Sequence, residues 1–133
     1  MLDRRLAVRF TLAGLLACSN ATGPDPNRVC TGPVRVTATN STTPMFTWSP
    51  LSQVNGIDFM DSDIGLRALW VVLDPARGNP ITSPVQYGVV PAGASEQYPA
   101  MPMVPGRTYT VQLWVADSTG LRAMFVGSDT IAP

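Results

Sequence analysis

The chain has 133 residues, of which 45% are apolar and 14% charged, with 13 prolines and 11 glycines. This balance predicts one domain with a packed core and many turns, and excludes a long charged disordered tail. Nine basic residues balance nine acidic ones, so the net charge does not indicate nucleic-acid binding. Because histidine and lysine are absent, the usual general base, the commonest metal ligand and Schiff-base chemistry are missing too. We therefore expect a protein that is not an enzyme.

The first 17 residues have the pattern of an export signal. Arg4, Arg5 and Arg9 precede an uncharged run from Phe10 that ends at Cys18. A basic start, a short apolar run and a small residue at the cleavage point are typical of such signals. The run has about 8 residues, whereas a helix needs about 20 to cross a bilayer, so it does not predict a transmembrane helix.

The end of this signal, Leu15-Leu16-Ala17-Cys18, resembles the lipobox of bacterial lipoproteins. The resemblance implies cleavage before Cys18, acylation of its thiol and stable attachment to a membrane. Because Ser19 rather than an aspartate follows the cysteine, it also implies sorting to the outer membrane. Residues 18–31 then form a polar, lipidated tether.

An ordinary secretory signal is the alternative interpretation, in which Cys18 is left free to form a disulfide with Cys30. If Cys18 is lipidated instead, Cys30 has no partner in this chain. It is then buried beneath the first strand, which we favour, or bonded to another molecule.

From residue 32 onward, short segments with period-two alternation lie between prolines and glycines, and they predict β-strands. These segments are 33–40, 44–48, 68–73, 83–90, 98–103, 109–116 and 121–131. Segment 98–103 contains two prolines, which cannot donate to a β-ladder, so we expect it at a sheet edge. Seven strands in about 100 residues predict an all-β, seven-stranded antiparallel sandwich.

Tyr109 opens the most regular of these strands, directly after the turn signal Pro105-Gly106. A tyrosine in this position packs its ring in the core and returns its hydroxyl to upstream backbone. This arrangement is the tyrosine corner of β-sandwiches.

Three motifs in the right order resemble a fibronectin type III domain. They are Phe46-Thr47-Trp48-Ser49-Pro50, Trp70-Val71-Val72, and Met103-Val104-Pro105 followed by Tyr109, Val111 and Leu113. The resemblance covers residues 32–133 and implies an immunoglobulin-like sandwich in which the Trp70 and Tyr109 strands are neighbours. A fold of this kind says little about function.

The stretch between Trp48 and Ala68 is longer than most structureless connections, which marks it as a candidate functional loop. It carries Asp58, Asp61 and Asp63, whose oxygens are the ligands that calcium prefers. The spacing matches no calcium loop, so solvated loop acids are the favoured interpretation and calcium the alternative.

A second candidate is the outer face of two strands. If Trp70 and Tyr109 point inward, then Leu69, Val71, Leu73 and Trp114 point outward and form one apolar patch. Such a patch with an aromatic residue is typical of a partner-binding surface. The alternatives are that another part of the chain covers the patch, or that the phase is wrong on one strand.

The sequence therefore predicts a non-catalytic protein of the bacterial envelope, held to the outer membrane by its N-terminal lipid and binding another envelope protein. The alternative is a carbohydrate- or ligand-binding module, which needs exposed aromatics beside polar groups. Trp114 with Gln112 is the start of such a site.

Overall fold

The structure is a computed structural model that describes residues 34–50, 53–117 and 119–133. The expected export signal, the tether, Cys18 and Cys30 lie outside these residues. All regular secondary structure in the described part is β-strand, and every strand pairing is antiparallel. The expected all-β, sandwich-like class is confirmed, but the described residues form ten strands rather than seven.

The strands form three sheets. In chain order they are β1 (Arg35–Ala38), β2 (Met45–Ser49), β3 (Gln53–Val54), β4 (Gly56–Asp61), β5 (Arg67–Leu73), β6 (Ile81–Thr82), β7 (Val85–Gln86), β8 (Ser95–Tyr98), β9 (Tyr109–Ala116) and β10 (Ala123–Ile131). The smaller sheet has the order β1-β2-β7, and the larger has the order β10-β9-β4-β5-β8. Strands β3 and β6 pair separately.

The expectation of one long loop between Trp48 and Ala68 is wrong. Strand β4 lies in this stretch and is the central strand of the larger sheet, paired with β5 on one side and β9 on the other. Buried Ile57 and Phe59 alternate with half-buried Asp58 and Met60, which is the period expected of a strand. The strands that carry Trp70 and Trp114 are therefore separated by β4 and are not direct neighbours.

Two other predicted strands are shorter than expected. Strand β7 has two residues, and β8 ends at Tyr98, where the predicted segment 98–103 begins. The prolines of that segment end the ladder, although Met101 N still donates to Leu69 O at 3.1 Å. The segment therefore follows the edge of β5 without being a regular strand.

The core lies between the two main sheets and contains a cluster of aromatic rings. Phe46 of the smaller sheet lies 5.3 Å from Phe59 of β4, measured between ring centroids. Phe59 also contacts Tyr109, with centroids 5.6 Å apart, and Trp70 contacts Tyr87 at the same distance. Phe46, Phe59 and Trp70 are fully buried, as the inward phase of their strands predicts. Burial of such rings is the main favourable contribution to folding here.

The predicted tyrosine corner is present at the start of β9. The hydroxyl of Tyr109 accepts a hydrogen bond from Val104 N at 2.6 Å and donates one to Val104 O at 3.1 Å. The ring itself is buried. This residue thus attaches the connection that precedes β9 to the end of the core.

A buried polar cluster organises the opposite end of the larger sheet. Asn79 pairs with the backbone of Ala116 through both amide atoms: its Nδ2 donates to Ala116 O at 3.0 Å, and its Oδ1 accepts from Ala116 N at 2.7 Å. Asn55 Nδ2 donates to Asp74 O at 3.1 Å, and Asp74 N donates to Asn55 O at 2.9 Å. These side chains satisfy backbone groups where the strands end, as buried polar groups must be satisfied.

The edges of the two main sheets meet at β1 and β10. Gly127 lies so close to β1 that a Cβ atom on it would be 2.8 Å from both Val34 O and Val36 Cγ2. Further along the same pair of strands, Ala38 N donates to the carboxylate of Asp129 at 2.7 Å. The close approach explains why glycine occurs here, although its φ is not in the left-handed region.

Candidate partner-binding face

The outer face of the larger sheet is built from two neighbouring cross-strand rows. In the first row, Trp114 lies opposite Phe125 on β10 and Gly56 on β4, and Gly56 lies opposite Leu73 on β5. Directly opposite residues in a sheet lie on the same face, and strands are about 4.8 Å apart. This row therefore places two aromatic rings and an aliphatic side chain across four strands.

The second row runs through the middle of the same face. Asp58 on β4 lies opposite Gln112 on β9 and Val71 on β5, and Val71 lies opposite Tyr98 on β8. We call the apolar residues Trp114, Phe125, Leu73, Val71 and Tyr98, together with Asp58 and Gln112, the outer patch. It extends over all five strands, or about 19 Å.

Three of the four residues predicted for partner binding belong to this patch. Val71, Leu73 and Trp114 are half-buried, as expected for side chains on the solvent face of a sheet. The expectation that Leu69 also points outward is wrong, because Leu69 is buried with 6% exposure. A β-bulge between Phe59 and Met60 leaves Leu69 as the extra residue of β5, so the alternation changes phase there.

The sequence prediction missed two exposed aromatic residues of the patch. Phe125 is 51% exposed and Tyr98 is 58% exposed. Phe125 packs edge-on against Trp114, with ring centroids 5.8 Å apart. Phe125 lies in a predicted strand, but the sequence does not show that it pairs with Trp114. Its place on the outer face therefore follows only from the three-dimensional structure.

Asp58 is the charged group of the outer patch. Burial by its neighbours raises the pKa of its carboxyl group, and the indole N–H of Trp114 lowers it in part. The geometry between the two side chains falls short of a full hydrogen bond, since Trp114 Nε1 is buried without a partner among the described residues. Asp58 with Gln112 thus gives the middle of an otherwise apolar face one acid and one amide.

The three aspartates proposed as calcium ligands do not converge. Asp58 lies on the outer face, whereas Asp61 is buried at the end of β4 and forms an ion pair with Arg107 at 2.9 Å. Asp63 lies in the turn that follows, where its carboxylate accepts a hydrogen bond from Thr108 N. In a strand, residues three apart point to opposite faces, which explains the separation of Asp58 from Asp61. The described residues contain no group of three acidic or sulfur ligands able to hold a metal ion.

Within the described residues, no helix is long and apolar enough to span a bilayer. Compared with protein-family models, with curated proteins and with solved structures, the chain gives no match. The function is therefore inferred from the sequence motifs and from the chemistry of the surfaces described above.

Proposed function

We propose that this protein is a lipid-anchored, non-catalytic protein of the bacterial envelope that binds another envelope protein through the outer patch. The observation that carries the proposal is the array of apolar side chains on one solvent-facing sheet surface. Trp114, Phe125 and Tyr98 are aromatic, and the side chains of Phe125 and Tyr98 are more than half exposed. Aromatic residues on a flat, partly desolvated surface are the typical anchors of protein interfaces.

The order of the strands supports a fibronectin type III-like arrangement for the domain. Strands β1, β2 and β7 form one sheet, and β10, β9, β4 and β5 are consecutive neighbours in the other. In this arrangement, β4 takes the position beside the Tyr109 strand that the sequence resemblance assigned to the Trp70 strand. Strand β8 is then an addition at the free edge of β5, and it extends the outer face by one strand.

The resemblance of Leu15-Leu16-Ala17-Cys18 to a lipobox, followed by Ser19, supports attachment to the outer membrane. An intact-mass measurement of the protein purified from membranes tests this part of the proposal, since acylation adds the mass of several fatty chains. We expect the wild-type protein in the membrane fraction and a Cys18→Ala variant in the soluble fraction. Recovery of the wild type as a soluble chain without acyl groups would contradict lipid anchoring.

A photo-crosslinking amino acid at position 114 tests the interface. We expect a discrete adduct in cells that produce the position-114 variant. A matched variant labelled at Thr47, an exposed position on the smaller sheet, should give none. A second change, Val71→Glu, places a charge in the patch and should abolish the adduct at position 114. Equal labelling from positions 47 and 114 would contradict a specific interface.

The alternative function, carbohydrate binding, is favoured by one specific observation. Asp58 and Gln112 lie directly opposite each other, beside Trp114, and so place an acid and an amide next to an aromatic ring. Sugars are bound by such combinations because hydroxyl groups need hydrogen-bond partners while the pyranose faces stack on aromatics.

Tryptophan fluorescence separates the two functions. Trp48 and Trp70 are buried, so only Trp114 should respond strongly to a soluble quencher such as acrylamide. Protection of Trp114 by soluble glucan or N-acetylglucosamine oligomers would support the carbohydrate function. Unchanged quenching with these oligomers, together with a position-114 adduct, would support protein binding.

A further inference from the structure

A small cleft lies at the end of the domain that carries the tyrosine corner. It has a volume of about 140 Å³ and lies between the β4–β5 turn (residues 62–66) and the segment that precedes β9 (residues 99–108). We call it the tip cleft. It is distinct from the outer patch, because none of the patch residues lines it.

The tip cleft has an apolar lining that is left open to solvent. Three apolar residues line it and are exposed: Ile64 by 45%, Met101 by 43% and Val104 by 48%. Exposed apolar residues are usually scattered singly over a surface, whereas these three lie together. Leu69 contributes a buried apolar surface to the same cleft. Nearby Leu66 is also exposed and has a φ of 60°, which is unusual for a bulky residue. Such backbone strain is found more often at binding sites than elsewhere.

Two tyrosine hydroxyls hold one wall of the cleft in place. Tyr87 Oη donates to Met101 O at 2.6 Å, and Tyr109 Oη accepts from Val104 N at the same distance. Met101 N also donates to Leu69 O. Burial raises the pKa of Tyr87 to about 12, so this donor remains protonated at neutral pH. A ligand that enters the cleft therefore meets a largely preformed wall, which lowers the entropy cost of binding.

The polar groups inside the cleft already have partners. Asp61 Oδ2 pairs with Arg107, and its Oδ1 accepts a hydrogen bond from Asp63 N at 3.0 Å. The hydrogen bond with Asp61 raises the pKa of Arg107, and both side chains have their partner inside the cleft. Arg67 also lines the cleft, is exposed, and forms no ion pair with any described residue. The cleft thus combines an apolar interior with one unpaired cation at its rim.

The volume limits the ligand to one side chain. A cavity of about 150 Å³ lined by aliphatic residues admits a benzene molecule, so the tip cleft has room for one leucine- or phenylalanine-sized group. In an extended peptide the neighbouring side chains point away from the inserted one. Arg67 needs a negative group close to the inserted side chain. When that side chain belongs to the last residue of a chain, the free α-carboxylate of the same residue lies nearest. An arginine is well suited to bind such a group.

We propose that the tip cleft binds the C-terminal residue of a partner polypeptide, with the apolar side chain in the cleft and the free α-carboxylate paired with Arg67. Ile64, Met101 and Val104 contact the side chain, and exposed Leu66 contacts the preceding residue. This site is independent of the outer patch, and either can be present without the other.

The probe is the peptide acetyl-Gly-Gly-Leu with a free carboxylate, compared with the same peptide carrying a C-terminal amide. Binding is followed by NMR of the methyl groups of Ile64, Leu69 and Met101 during titration. We expect the acid to bind about 10-fold more tightly than the amide, because its carboxylate forms charge-assisted hydrogen bonds. Arg67→Gln should reduce this preference to less than about 2-fold. Arg122→Gln, which removes an exposed arginine at the other end of β10, should leave it unchanged.

Ile64→Glu provides a second variant at an exposed turn position, where folding should be unaffected. Its carboxylate should weaken binding of the acid more than binding of the amide. Equal affinities of acid and amide for the wild type, or no methyl shifts with either peptide, would overturn the proposal. Binding of the small acid 4-methylpentanoate as tightly as the peptide acid would overturn the assignment to a polypeptide end.

Discussion

The phenol oxygen of Tyr109 lies 2.6 Å from the backbone nitrogen and 3.1 Å from the backbone oxygen of a single residue, Val104. One side chain therefore satisfies both polar groups of a residue in an irregular connection. Because the Tyr109 ring is buried at the start of β9, these two bonds attach the connection to the core. They also fix the position of Val104 beside the tip cleft.

Tyr109→Phe keeps the ring and removes only the hydroxyl. The free energy of unfolding should fall by about 1–3 kcal/mol, because Val104 N loses its partner and Val104 O keeps only the hydrogen bond from Arg107 N at 3.3 Å. Urea unfolding measures the change. Tyr98→Phe is the matched control, since the Tyr98 side chain is exposed and should contribute little. Equal stability of the two variants would contradict the assigned role of the Tyr109 hydroxyl.

Asn79→Gly removes the side chain that pairs with both backbone groups of Ala116. We expect a loss of about 1–3 kcal/mol, together with faster hydrogen exchange of the Ala116 amide. Asn79→Ala should cost more, because the φ of this residue is 52° and alanine is strained in that region. Unchanged protection of the Ala116 amide in both variants would show that the amide pairing is not needed at the end of β9.

Gly127→Ala tests the contact between the two sheet edges. The added methyl group would lie 2.8 Å from Val34 O and Val36 Cγ2, so β1 and β10 must move apart. We expect destabilisation by about 1–3 kcal/mol, measured as a lower midpoint of thermal unfolding. Ser128→Ala changes the next, exposed residue and should have an effect within about 0.5 kcal/mol. A Gly127→Ala protein as stable as the wild type would contradict the close approach.

Asp58→Asn tests the cost of a half-buried carboxylate on the outer patch. Desolvation raises the pKa of Asp58 in the folded protein above its ordinary value of 3.8. The folded state then binds a proton more tightly than the unfolded state, so ionisation of Asp58 lowers stability as the pH rises through the folded pKa. We expect Asp58→Asn to raise the melting temperature at pH 7 and to lose this advantage near pH 3. An advantage that is the same at both pH values would contradict the shift.

The sequence predicted the inward side chains of the regular strands correctly. Tyr109, Val111 and Leu113 are buried because period-two alternation continues without interruption from Tyr109 to Val115. The same rule failed at Leu69, since the bulge opposite Phe59 and Met60 adds a residue to β5, and no turn residue in the sequence marks it. One extra residue is enough to move a side chain from the solvent face to the core.

The central strand β4 was missed for a different reason. Asn55, Gly56 and Asp61 are typical of loops, and they hide the alternation of Ile57 and Phe59 with their neighbours. Because this stretch is a strand, Asp58 and Asp61 point to opposite faces, and the calcium site considered as the alternative interpretation is not formed.

The outer patch could be predicted only in part. The alternation of β5 and β9 places Val71, Leu73 and Trp114 outward, but Tyr98 and Phe125 join them through pairings with other strands. The tip cleft also depends on tertiary structure, since Arg67 and Val104 are far apart in the sequence.

The hydrogen bond from Ala38 N to Asp129 has a consequence for neighbouring molecules. The free edge of β1 is where a strand from a second copy would add, and such additions lead to linear polymers and fibrils. The carboxylate of Asp129 already accepts a hydrogen bond from Ala38 N on that edge. An added strand would have to displace this carboxylate and would offer only a neutral carbonyl oxygen in its place. Copies of this domain that crowd side by side are therefore hindered from joining into a continuous sheet through β1.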